Sequence, residues 1–212
     1  MPAGRPAPDE EIHDGEVTVP RLAATVMLLR GEAGALEVLL VRRTPRARFM
    51  AGAWVFPGGA VDPGDGPGQD GLRAAAIREL REEAGIELAA GAELVAFSNW
   101  ITPARVKIRF DTWFYLAAMP AGQEPVVDGR EIVDACWRAP AEAVAAADRG
   151  EMTIVFPTRK HLERISAYGS AAALLADARR TPVAPVEPRV IGSDEQARIV
   201  LPGEPGYDSD RL

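Results

Sequence analysis

The sequence predicts an α/β protein, an α/β/α sandwich around a central mixed β-sheet with extra C-terminal helices, and three observations carry that reading. Runs of strand length rich in Leu, Val and Ile, each bounded by Gly, Pro or Asp, recur along the chain. Between them lies one stretch, residues 70–84, with helical periodicity and a glycine just past its end. Further helical stretches follow Pro140 and Pro157.

Taken in order, residues 1–20 are Pro-rich, acidic and aperiodic, which predicts a flexible arm that pairs at a sheet edge near Val17 and Val19. Leu22–Arg30 and Leu36–Arg43 flank Gly31-Glu32-Ala33-Gly34 and read as a hairpin of two core strands. Trp54-Val55-Phe56 gives a short strand that Pro57-Gly58-Gly59 ends, because proline removes a ladder donor. Asp70 is placed to cap the helix that runs to Ala84, with Gly85 as its stop. Leu94–Trp100, Ile108–Ala118 and Ile132–Trp137 read as strands. Pro140 opens a short Ala-rich helix, and Pro157–Tyr168 and Ser170–Arg179 form a helix pair broken at Gly169. Beyond Thr181 the chain is punctuated by proline, with Arg198–Leu201 as a strand. This divides the chain into an arm (1–20), one domain (21–180) and an extension (181–212) that packs on the domain or on a second subunit.

The 212 residues are 47% hydrophobic and 26% charged, enough for a sizeable core. With 24 basic and 31 acidic side chains the net charge is −7, which argues against a general nucleic-acid or anionic-membrane binder. Apolar stretches such as Leu22–Leu29 fall short of the roughly 18 residues of a membrane span. Cys136 is the single cysteine, which excludes an internal disulfide or a multi-Cys zinc site and suits a reducing compartment. Lysine is scarce and Ala, Gly, Pro and Arg are abundant, which reads as codon bias of a bacterial genome. A cytoplasmic protein is the expectation.

The chemistry is concentrated in Arg78-Glu79-Leu80-Arg81-Glu82-Glu83-Ala84-Gly85-Ile86. Glu79, Glu82 and Glu83 fall at i, i+3 and i+4 and share one side of the helix, while Ile77, Leu80 and Ala84 form the adjoining apolar arc. Three crowded carboxylates repel one another unless a positive group sits among them. Arg78 offsets part of this through Glu82, and hard oxygen ligands so arranged suit Mg²⁺ or Mn²⁺. The competing reading is a solvated charged face.

Ahead of this helix stands Ala53-Trp54-Val55-Phe56-Pro57-Gly58-Gly59, then an acidic loop. The combination resembles the box of the Nudix (MutT-like) hydrolase superfamily. The second half of the box matches Arg78–Ile86 without exception. In the first half an Asp replaces the family's loop Glu. From Gly59, five residues lead to Asp65 and twelve more to Arg78, which implies five inserted residues; the alternative register, Gly64 to Asp70, keeps the spacing and abandons Pro-Gly-Gly. The first is preferred, since Asp70 already has a capping role. Phe49-Met50-Ala51-Gly52, Trp100-Ile101-Thr102-Pro103, Arg109-Phe110-Asp111-Thr112 and Phe156-Pro157-Thr158 are similar to the coenzyme A and acyl-coenzyme A diphosphatase branch.

The resemblance implies metal-dependent hydrolysis of a small-molecule nucleoside diphosphate derivative, with coenzyme A or acyl-coenzyme A giving 3′,5′-ADP and 4′-phosphopantetheine or its acyl form. ADP-ribose, ADP-sugars or dinucleoside polyphosphates are the alternative substrates, and a ligand-sensing module without turnover is the alternative of another class. Glu79, Glu82 and Glu83 are implied metal ligands, joined by the Gly59 carbonyl and Glu131. The general base stays open among Glu79, Glu82 and Glu131, with Arg78 beside them. Arg42, Arg43, Arg46 and Arg48 are candidates to grip phosphates, Arg109 to meet Asp111 or a phosphate, and Trp100 to stack on adenine. Homodimerisation is a family-level expectation. The chain ends Asp210-Arg211-Leu212, unlike a Ser-Lys-Leu address.

Overall fold

A computed structural model describes residues 12, 15–47, 49–192 and 197–208. Ten strands form: β1 (Arg21–Arg30), β2 (Glu37–Arg43), β3 (Trp54–Val55), β4 (Gly58–Ala60), β5 (Val95–Ile101), β6 (Phe110–Ala118), β7 (Ile132–Arg138), β8 (Pro185–Val186), β9 (Arg189–Ile191) and β10 (Arg198–Val200). The helices among the described residues are α1 (Gly68–Ala84), α2 (Pro140–Asp148), α3 (Phe156–Ile165) and α4 (Ala171–Ala178), with a 3-10 turn at Pro63–Asp65.

β1 is the spine. It runs parallel to β6 from Arg21 beside Phe110 to Leu29 beside Ala118, and β5 and then β8 continue the sheet on that side. On the other side β1 meets β2 only at Leu29–Val38 and Arg30–Glu37, after which the two arms splay. One bent segment fills the gap: β3 pairs with β2, and β4 pairs with β1. β7 lies along the opposite side of β2.

Alternate side chains of β1 serve two cores, as the period of a strand requires. Val26 and Leu28, with Leu39 and Val41, pack on Leu72, Ala76 and Leu80 of α1. Met27 and Leu29, with Val38 and Leu40, pack on Ala143, Leu162 and Leu174 of α2, α3 and α4. The mixed sheet is thus covered on both faces. A third, small cluster joins Val106, Val190, Ala197 and Ile199 to Ile12 and Phe156. Among the described residues no helix is long and apolar enough to cross a membrane.

Three local expectations are corrected. Pro57-Gly58-Gly59 bends the chain without ending the sheet, and Gly58–Ala60 resumes as β4. Backbones approach so closely there that a Cβ on Gly58 would lie 2.6 Å from the Thr25 Cα. Helix α1 begins at Gly68 with Pro67 at its cap, so Asp70 sits inside the first turn, where a negative charge still favours the helix dipole. Gly85 does close α1 in the left-handed region, its N–H donating to the Arg81 carbonyl. Val17 and Val19 are exposed and outside any strand; Thr18 instead donates its hydroxyl to the Lys107 carbonyl.

Candidate active site

The guanidinium of Arg78 organises the acidic half of the site. Its Nε and Nη2 donate to the two oxygens of Asp65 at 3.0 and 2.9 Å, in the fork geometry that only arginine offers. Nη2 also reaches the Ala60 carbonyl at 3.0 Å, and Nη1 donates to Glu79 at 2.7 Å and to Glu82 at 3.2 Å. The Arg78 hydrogen bonds hold the Asp65 carboxyl below the usual carboxylate range. Helix and loop are therefore braced through Asp65, the register counted from Gly59, although the capping role given to Asp70 is absent.

Glu83 is 5% exposed, and its Oε2 accepts the Gly58 N–H at 2.9 Å. Burial pushes its carboxyl up to about 8; the Gly58 N–H and the charge of Arg43 oppose this, and the charges of Glu79 and Glu131 add to it. Burial also raises the Glu79 carboxyl, against the pull of Arg78 and with the repulsion of Glu82 and Glu131. Glu79 lies directly on Gly59, where a Cβ would come within 2.6 Å of its Cδ. A side chain at that position would push the Glu79 carboxylate aside.

Four carboxylates thus stand in each other's fields, and hard oxygen donors in mutual repulsion fit a divalent cation. Among the described residues no three of them are drawn into a closed ligand shell. The oxygens of Glu79 and Glu82 turn to Arg78 and that of Glu83 to the Gly58 N–H, bonds with which a cation competes.

Glu79, Glu83, Glu131 and Gly59 line a cleft of about 410 Å³ together with Arg43. The rest of the cleft is largely carbon: Phe49, Trp100, Phe110 and Phe156, with Pro188 and Ile199 from beyond the helices. Phe49 and Phe110 stand 6.1 Å apart, and Trp100 meets Phe156 edge-on at 6.2 Å.

The structure separates the other expected residues. Strand alternation sends Arg42 and Arg43 to opposite faces of β2. Arg43 enters the cleft, its Nε donating to the Phe49 carbonyl at 3.1 Å, whereas Arg42 opens on a different cavity of about 770 Å³ beside Trp54, Asp134 and Cys136. Arg46 is exposed and lines neither, and Arg48 lies outside the described residues. Glu82 lines no part of the cleft; its half-exposed side chain pairs with Arg78 and Arg81. Arg109 is withdrawn from phosphate binding: it is buried, and its guanidinium donates to the carbonyls of Thr102 and Thr18 and to Glu187 at 2.6 Å. Asp111 accepts instead from Asn99. Trp100 lines the cleft.

Sequence reasoning missed Phe49, Phe156 and Arg21 as cleft residues, though the first two sit within the segments that carry the family likeness. His161 is buried: Nδ1–H donates to the Pro157 carbonyl at 2.6 Å, and Ser98 Oγ–H donates to Nε2 at 2.5 Å, an assignment forced because a carbonyl only accepts. Burial lowers its pKa to about 4.

Comparison with known proteins agrees with this geometry. The chain is 31% identical over 166 residues to putative nudix hydrolase 7 of Caenorhabditis elegans, covering 61% of this chain and 56% of that protein, so it spans about half of that relative's length. Its fold is similar to the crystal structure of a NUDIX hydrolase from Alicyclobacillus acidocaldarius, with TM-score 0.68, 26% identity, and coverage of 75% of this chain and 96% of that one. A Caenorhabditis elegans Ap4A hydrolase in a binary complex shares the fold at TM-score 0.53 and 24% identity, over 69% of this chain and 96% of that one. The model of the NUDIX domain matches residues 19–157, the span that holds β1 to β7 and every carboxylate of the site, and the chain belongs to that family.

Proposed function

We propose that the chain is a metal-dependent diphosphatase acting on coenzyme A or acyl-coenzyme A, and yielding 3′,5′-ADP with 4′-phosphopantetheine or its acyl form. One observation carries the reading: Glu79, Glu83 and Glu131 share a cleft with a large aromatic and aliphatic surface. The acids suit the diphosphate with its cations, and the carbon surface suits the uncharged remainder of a long substrate.

Glu79, Glu82, Glu83 and Glu131 would hold Mg²⁺ or Mn²⁺, with the Gly59 carbonyl as a backbone donor. Bound there, the ions neutralise phosphate charge and lower the pKa of water. Arg78 keeps Glu79 pinned over Gly59, so the carboxylate meets the substrate in a fixed orientation. Glu79 or Glu131 takes the proton of the attacking water, whose oxygen bonds to one phosphorus as the bridging oxygen leaves with the other phosphate. Arg43 faces the charge that grows on the departing phosphate.

The test is product analysis with Mg²⁺ or Mn²⁺ on coenzyme A, an acyl ester, ADP-ribose and diadenosine tetraphosphate. Release of 3′,5′-ADP from the first two is the expected result. Brisk cleavage of ADP-ribose or the dinucleotide with coenzyme A intact overturns the substrate assignment. Binding without turnover of any of the four points to a ligand-sensing module.

A further inference from the structure

We infer that the β9–β10 hairpin is the specificity wall of the cleft, with Pro188 and Ile199 holding the uncharged, apolar arm of the diphosphate substrate. The inference rests on the substrate class proposed above and assigns its recognition to residues outside the span matched by the family model.

The hairpin is built into the molecule. β9 and β10 pair antiparallel from Arg189–Val200 to Ile191–Arg198, and Val190, Ala197 and Ile199 form a small core with Val106 and Phe156. Polar anchors hold its backbone from outside. Arg105 Nη1 donates to the carbonyls of Val190 at 3.3 Å and Gly192 at 2.7 Å. Tyr207 Oη–H donates to the Glu187 carbonyl at 2.9 Å, while the Glu187 carboxylate is held by Arg109.

Among the described residues its chemistry toward the cleft is carbon alone. Arg189 is turned away, its Nη1 on the Tyr207 carbonyl at 2.6 Å and its guanidinium 4.5 Å over the Tyr207 ring. Among the described residues of this region, Pro188 and Ile199 line the cleft, beside Phe110 and Phe156, and the described cations lining it are Arg21 and Arg43. Offering only carbon to the cleft among the described residues, this wall gives nothing to a phosphate and discriminates by apolar contact.

The test is steady-state kinetics of the full chain on free coenzyme A and on octanoyl-coenzyme A. The wild type is expected to favour the ester in kcat/KM. Ile199→Ala is expected to reduce that preference about tenfold, through KM with kcat nearly unchanged. A thermal melt reports folding, and should Ile199→Ala fold poorly, Ile199→Val carries the same test with a smaller shift. A folded variant with the wild-type preference, or one that loses activity equally on both compounds, overturns the wall. So does a wild type that cleaves both equally well, and in that case the substrate reading stands. A wild type that releases no 3′,5′-ADP from either compound overturns the substrate reading itself, before any variant is compared.

Discussion

Arg78 and Arg109 are both shielded arginines that tie together distant parts of the chain, and they differ in what they hold. Arg78 gathers carboxylates, those of Asp65, Glu79 and Glu82. Arg109 gathers mostly backbone, the Thr18 and Thr102 carbonyls, with Glu187 as its one acid. The first arrangement positions the carboxylates of the proposed metal site; the second joins an arm, a loop and an extension. The same side chain serves chemistry in one place and architecture in the other, and only its partners tell which.

The largest expected effect tests whether the acidic cluster carries the chemistry. Glu83→Gln should cost about 4 kcal/mol of transition-state stabilisation, a fall in kcat on the order of 10³-fold, with the fold retained, and kinetics beside circular dichroism will check it. Wild-type kinetics in that variant would remove the chemical half of the comparison. Next, Arg78→Ala should destabilise by about 3 kcal/mol, because it strands the shielded Asp65 carboxylate, and should lower kcat as well. Arg109→Ala should cost about 2 kcal/mol in a denaturant titration, less because Glu187 is partly hydrated, while kcat on a substrate with no apolar arm stays near the wild-type value. If Arg109→Ala lowers kcat as strongly as Arg78→Ala, the two networks are not distinct.

His161 offers a control that touches neither arginine. Its folded pKa of about 4 lies below the ordinary 6.5, so the unfolded chain binds the extra proton first. Its contribution is complete above pH 6.5 and is lost as pH falls toward 4, at most about 3 kcal/mol by linkage. Melting curves over that range should show a shallower acid slope in His161→Phe than in the wild type. The smallest effect belongs to Arg42→Ala. Facing away from the cleft, it should leave kcat/KM within about twofold and stability within about 0.5 kcal/mol.

The strands, the helix pair around Gly169 and the box helix were legible because each rests on local rules of periodicity, stop glycines and helix-opening prolines. The carboxylates were legible because their spacing on one helix fixes their neighbourhood. The arginines were not. Arg42 and Arg43 are adjacent in sequence and identical in type, and only the pleat of β2, read against its neighbours, shows which one lines the cleft. Arg109 looked available because its partners Thr18 and Glu187 lie far off in sequence, and no local pattern announces them. β8 and β9 escaped because Pro182, Pro185 and Pro188 punctuate the stretch that holds them, a composition that reads as loop.

The wall supplied by Pro188 and Ile199 has a consequence for biosynthesis. Glu79 and Glu83 leave the ribosome long before the hairpin does, so these carboxylates can meet Arg78 and the Gly58 N–H, respectively, while the pocket still gapes on one side. Maturation of selectivity then lags behind maturation of the catalytic cluster, and a nascent chain stalled before the hairpin would present the acids without the surface that chooses what reaches them.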